Sequence, residues 1–203
     1  MSGRERWDAY YREVAAREPA APSAWVMARA LDLPLDALVL DLACGRGRHA
    51  RALAAYGYHV IALDVVERAV RAAAAGLAIA GVAAAVEALP LRDESVDAVL
   101  CVNYLDRGAL PHVVKLLRPG GRLIMETFLV QQRTLRRGPR DPAHLLEPGE
   151  LPRLVVPLEP VAYHEGLVRD AAGERYAAGV VAVKAGRHGV RHPPILAPPA
   201  AAP

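Results

Sequence analysis

Residues Val39–Asp64 read VLDLACGRGRHARALAAYGYHVIALD. The stretch opens with a short apolar run, passes through two glycines, continues as an Ala-rich segment that Gly57 stops, and closes on a second apolar run ending in Asp64. An apolar run without polar alternation is what a central strand covered on both faces requires. The order strand, glycine turn, helix, strand is the start of a parallel sheet with crossover helices. Gly45 and Gly47 let the backbone turn sharply and approach a ligand, and in such a sheet ligands sit beyond the carboxyl ends of the strands.

The rhythm repeats downstream. Glu67–Ala75 reads as a helix, residues 82–90 (VAAAVEALP) as a third strand and residues 96–103 (VDAVLCVN) as a fourth. Leu110–Leu117 reads as a helix stopped by RPGG, and Arg122–Phe128 as a fifth strand. Beyond an Arg- and Pro-rich stretch over 129–149, the runs Val155–His164 and Tyr176–Lys184 read as two last strands joined by a hairpin at RDAAGER. The expectation is a single α/β, doubly wound, Rossmann-like sheet of seven strands, mostly parallel, with an antiparallel C-terminal hairpin and helices on both faces. Upstream, Arg4–Glu18 and Ser23–Leu33 carry apolar residues at helical intervals. The organisation expected is 1–36 as N-terminal lid helices, 37–185 as the α/β domain, and 186–203 as a Pro-rich tail without packed structure.

Composition narrows the function classes. The 203 residues are 53% hydrophobic, and 25 basic against 22 acidic residues give a formal charge of +3. Only two of the basic residues are lysines, Lys115 and Lys184, and the arginines are scattered apart from Arg133, Arg136, Arg137 and Arg140. Four arginines without interleaved aromatics argue against a nucleic-acid surface. Cys44 and Cys101 form no CxxC or His-linked metal pattern, so reduced thiols, no metal and a cytoplasmic location are expected. No signal peptide or membrane span is read from the sequence.

The glycine spacing Gly45-x-Gly47-x-x-Ala50 followed by Asp64 suits NAD and S-adenosylmethionine equally, since both carry ribose hydroxyls for that acid. Asp41 breaks the tie. A carboxylate about 4 Å from a phosphate costs roughly 4 kcal/mol at an effective dielectric of 20, whereas beside a sulfonium or ammonium the sign reverses.

These motifs resemble class I S-adenosylmethionine-dependent methyltransferases, whose loop commonly reads D-x-G-x-G-x-G; LPLRDESVDAVLCVNYL and LLRPGGRLIMETF are similar to later motifs of that family. WDAYY and HLLEPGEL are similar to its small tellurite-resistance-type branch. Ala43 stands where the family has its first glycine, a tolerable change if the backbone there has negative φ. The resemblance implies S-adenosylmethionine as cofactor, with Asp41 and the loop Ala43, Cys44, Gly45 and Gly47 around its methionine part, Asp64 on the ribose and Val65 against the adenine. It further implies Glu87 and Ala88, ending the third strand, at the adenine edge, Asn103 facing the methyl group, and Trp7 and Tyr11 in a lid.

The activity implied is in-line methyl transfer to a small molecule such as a thiol, a metalloid oxyanion or another small nucleophile. His49, His112, His144, Glu147 and His164 are candidate bases, and the sequence commits none of them to catalysis. An NAD-dependent oxidoreductase, a non-catalytic cofactor-binding module and an RNA methyltransferase using the Arg-rich loop are the alternatives.

Overall fold

A computed structural model describes residues 3–171 and 173–186, and the expected tail from residue 187 lies outside them. Seven strands form one sheet: β1 (Leu38–Leu42), β2 (His59–Asp64), β3 (Ile79–Ala83), β4 (Val96–Val102), β5 (Leu117–Phe128), β6 (Glu159–Asp170) and β7 (Gly173–Val183). Their spatial order is β3-β2-β1-β4-β5-β7-β6. Pairings from β3 through β5 are parallel, and β7 joins β5 and β6 antiparallel. The chain winds outward through β1, β2 and β3, then returns to the other side of β1 as β4. The crevice between the carboxyl ends of β1 and β4 is thus the switch point where such sheets take ligands.

The helices are α1 (Gly3–Glu13), α2 (Ala24–Ala30), α3 (Arg48–Ala55), α4 (Glu67–Ala74), α5 (Leu110–Leu116) and the short α6 (Leu151–Leu154). Side chains alternate across the strands. Leu40, Leu42, Cys101 and Met125 pack on one face with Val113 and Leu151. Val39, Leu100, Ile124 and Val181 pack on the other with Val26 and Leu53. That alternation puts Asp41 and Glu126 on the second face, beside α2 and α3. A buried Tyr58 hydroxyl donates to the carbonyl of Leu33 at 2.9 Å, tying the end of the α2 segment to β2.

Several boundaries differ from those the sequence suggests. The third strand lies at Ile79–Ala83, so Glu87 and Ala88 do not end it; they sit in a 3-10 turn, Val86–Ala88. The run AIAGVAAAVEA holds little but Ala, Val and Gly, so nothing in it marks where pairing stops. β5 begins at Leu117, taking RPGG into the strand rather than leaving it as a stop, with a register shift opposite β4 between Val96 and Ala98. The last two strands begin and end later and earlier, respectively, than expected: they meet at Asp170–Gly173, so most of RDAAGER belongs to the ladder. α1 ends at Glu13, five residues short of its expected end at Glu18.

Candidate functional site

The glycine turn is built by backbone. Gly45 and Gly47 have φ of 54° and 78°, and a Cβ at Gly47 would stand 2.5 Å from the Cβ of Ala73 on α4. Glycine at position 47 therefore serves both the left-handed conformation and the close approach of α3 to α4. Ala43 also has positive φ, 54°, so the condition under which alanine would be a tolerable replacement for glycine is not met. An alanine held there carries roughly 1–2 kcal/mol of strain.

Two carboxylates converge on this turn. Asp64, at the end of β2, accepts from the amide of Gly45 through Oδ2 and from that of Val66 through Oδ1, each at 2.9 Å. Burial raises its pKa, opposed by the Val66 and Gly45 amides and the Tyr11 hydroxyl. Asp41 is 2% exposed and accepts from the amide of Ala50 at 3.0 Å. That amide belongs to the third residue of α3, one of the orphan donors of a helix N-terminus. Burial pushes the Asp41 carboxyl up to about 7, against the pull of the Ala50 amide and the nearby Arg48 charge. Instead of standing at the mouth of the turn, Asp41 lies beneath it, on a donor that an anionic ligand would otherwise claim.

The α1 helix lies across the turn. The Tyr11 hydroxyl is 3.5 Å from Asp64 Oδ2 and is the nearest group to a Cβ built on Gly45. Desolvation and then the Asp64 charge push its ionisation well above the usual phenol range. Trp7 stacks on Tyr11 with ring centroids 6.0 Å apart while remaining 44% exposed. Arg46, between the two glycines, donates to the carbonyls of Val14 at 2.7 Å, Ala15 at 3.1 Å and Arg17, which fastens the end of α1 to the loop. Sequence reading missed this tether.

The other expected residues distribute as follows. Cys44 is buried, and burial together with Asp41 and Asp64 keeps its thiol protonated far above the ordinary range. Val65 follows Asp64 and is half-buried, whereas Glu87 and Ala88 are exposed on their 3-10 turn. Asn103, just past β4, is exposed with φ 59°, and its amide donates to the carbonyl of Glu126 at 2.8 Å. Left-handed non-glycine residues cost energy and cluster at functional sites.

Among the candidate bases, His49 is buried and accepts from the amide of Ser23 through Nε2 at 3.0 Å; burial drives its pKa down to about 3, so it is neutral. His112, His144 and Glu147 are exposed. In the Arg-rich segment, Arg137 donates to the carbonyl of Glu174 on β7 and Arg140 to those of Arg133 and Leu135, so both guanidinium groups are engaged by backbone carbonyls.

Beside α2 and α3 lies a second polar cluster that sequence reading did not assemble. Arg175 on β7 donates to Glu126 Oε1 at 2.7 Å, to Asp170 Oδ1 at 2.8 Å and to the Ser23 hydroxyl at 3.2 Å. Glu126 is wholly buried on β5. Burial alone would raise its pKa, but His164, Arg175 and Ser23 beside it bring the net shift below the ordinary value. The one signal available was a charged residue inside the apolar run RLIMETF.

Residues 40–125 match the family model described as a methyltransferase domain. That match and the likeness to known methyltransferases support a class I S-adenosylmethionine-dependent methyltransferase. Among methyltransferases the chain is similar to a ubiquinone biosynthesis O-methyltransferase of Xylella fastidiosa, 32% identical over 162 residues, which are 69% of this chain and 65% of that protein. An uncharacterized methyltransferase of Mycobacterium tuberculosis is 40% identical over 93 residues, 42% of this chain, and the matched stretch spans 37% of that relative's length. TehB from Haemophilus influenzae shares this methyltransferase fold at 18% identity, with a TM-score of 0.66, over 88% of this chain and 67% of the other. No helix among the described residues of this chain is long and apolar enough to cross a membrane.

Proposed function

We propose that the chain methylates a small-molecule acceptor with S-adenosylmethionine as donor. The observation that carries this reading is the position of Asp41. Its carboxylate sits on the amide of Ala50 at the head of α3, where a nicotinamide dinucleotide would bring its diphosphate. A buried acid there opposes a second anion and favours a ligand bearing positive charge. Asp64 fits the other half of such a ligand: each of its oxygens accepts one backbone amide and keeps a lone pair for a ribose hydroxyl.

In this reading the turn Ala43–Gly47, with Asp41 beneath it, surrounds the methionine portion of the ligand. Asp64 takes the ribose, while Val65, Glu87 and Ala88 border the adenine. Asn103, at the carboxyl end of β4, faces the methyl group, and Trp7 and Tyr11 cover the site from α1. The bound cofactor supplies an already activated methyl group on a sulfonium. The residues around it align an acceptor with that group and exclude water, which is worth roughly 7–11 kcal/mol in favourable cases. Tyr11 would have to yield its contact with Asp64 when ribose hydroxyls take that carboxylate. An RNA acceptor is disfavoured because Arg137 and Arg140 are spent on backbone carbonyls.

Incubation with methyl-labelled S-adenosylmethionine and a panel of phenols, carboxylates, thiols, metalloid oxyanions and tRNA tests the proposal. Label is expected in a small molecule and not in tRNA. Cofactor binding without transfer to any member would favour a non-catalytic module.

A further inference from the structure

Glu126, Gly179 and His164 occupy one row across three strands: Glu126 pairs with Gly179, and Gly179 with His164. A Cβ on Gly179 would stand 2.4 Å from His164 Nε2 and 2.9 Å from the Trp25 ring. The missing side chain therefore lets the imidazole lie across β7, where its Nε2 comes within 3.4 Å of Glu126 Oε2. Both atoms are buried, and neither has a well-aligned hydrogen bond. Trp25 lies over the imidazole with ring centroids 4.5 Å apart.

Glu126 Oε1 is already engaged by Arg175, so Oε2 is the carboxylate oxygen left for the imidazole. The Nε2–Cδ2 edge is turned to Gly179 and Nε2 is buried, while 23% of the His164 side chain stays exposed. A carboxylate beside one imidazole nitrogen fixes the proton there and leaves the other nitrogen free to accept one. The row borders the candidate site, because the Glu126 carbonyl holds the amide of Asn103 and Ser23 links Arg175 to His49 at the head of α3.

We propose that His164, oriented by Glu126 across Gly179, is the proton acceptor for a hydroxyl-bearing methyl acceptor. This rests on the methyl-transfer reading and narrows its acceptor to a protic oxygen nucleophile, for which a soft anion would need no such base. In the step, the acceptor oxygen bonds to the methyl carbon and the carbon–sulfur bond breaks, its electron pair passing to sulfur. The hydroxyl proton passes to His164 Nδ1. The positive charge lost from sulfur reappears on the imidazolium, beside the Glu126 carboxylate.

The test compares wild type with His164→Gln on phenol, 4-chlorophenol and 4-nitrophenol, a series of falling hydroxyl pKa, with S-adenosylhomocysteine affinity measured on the same samples. Loss of the base should lower kcat about 10²-fold or more for phenol, with KM little changed, and the deficit should shrink toward 4-nitrophenol. Gly179→Ala, which displaces the ring without removing it, should reproduce the pattern. Independently of turnover, imidazole nitrogen NMR should show His164 protonated on Nε2 in the wild type.

A uniform deficit along the series, no deficit, a proton on Nδ1, or a wild type that binds S-adenosylhomocysteine yet methylates none of the phenols would each overturn the assignment. Failure of the wild type to bind S-adenosylhomocysteine would overturn the methyl-transfer reading itself.

Discussion

At the β1–β2 end of the sheet, the buried acids Asp41 and Asp64 are satisfied by backbone amides of Ala50, Gly45 and Val66. At the β5–β7–β6 end, the buried acid Glu126 is satisfied by a guanidinium reached from another strand, with an imidazole alongside. The first arrangement is local: each acid lies at the carboxyl end of a strand, and the amides it holds lie within two connections of it. The second depends on the register of three strands. Charge burial at the first end therefore shifts proton affinity, whereas at the second end it creates an ion pair whose partners cannot be removed singly.

The largest expected effect is on the ion-paired end. Arg175→Met leaves Glu126 buried without its cation, and breaking such a pair costs about 3–5 kcal/mol. Urea denaturation should show that loss, and Glu126→Leu added to it should restore much of the stability. If the single variant is as stable as wild type, the two ends do not differ in the way described.

Gly47→Ala probes the backbone-built end. The left-handed φ and the 2.5 Å approach to Ala73 predict a loss of about 2–4 kcal/mol and a displaced α3. A loss confined to a few tenths would mean that α4 gives way easily.

Asp41→Asn is expected to act in opposite senses on stability and binding. With its pKa raised from 3.8 to about 7, the folded protein holds this proton more tightly than the unfolded chain does. The group therefore favours folding most at low pH and costs stability as pH rises from about 4 to about 7. Asparagine removes that cost. The variant should gain stability over wild type through the same window, by an order of 1–3 kcal/mol at neutral pH, while S-adenosylhomocysteine affinity falls. A difference independent of pH would show that Asp41 is not the titrating group.

The smallest effect is Ala43→Gly. Release of left-handed strain, partly offset by the greater freedom of an unfolded glycine, should raise stability by about 0.5–1 kcal/mol, read as a small increase in Tm.

The same comparison explains what the sequence disclosed. Apolar runs, two glycines and Asp64 sit within 26 residues, so the turn and its acids could be read from spacing alone. The third strand was misplaced because an alanine-rich run offers no side-chain contrast between pairing and turning residues. The conformation of Ala43 was invisible because nothing about an alanine announces positive φ; the surrounding turn imposes it. Glu126, Gly179 and His164 are separated by long connections, and only the antiparallel register makes the glycine's empty side a seat for the imidazole. His164 could be named a candidate base from sequence, but not distinguished from His49, whose lone pair is taken by the amide of Ser23.

Calorimetric titration of the whole chain with S-adenosylhomocysteine and, separately, with NAD tests the central claim most directly. Asp41 seated on the first turn of α3 predicts saturable one-to-one binding of the sulfur nucleoside and no heat from the dinucleotide. Saturable NAD binding with a silent S-adenosylhomocysteine titration would contradict it.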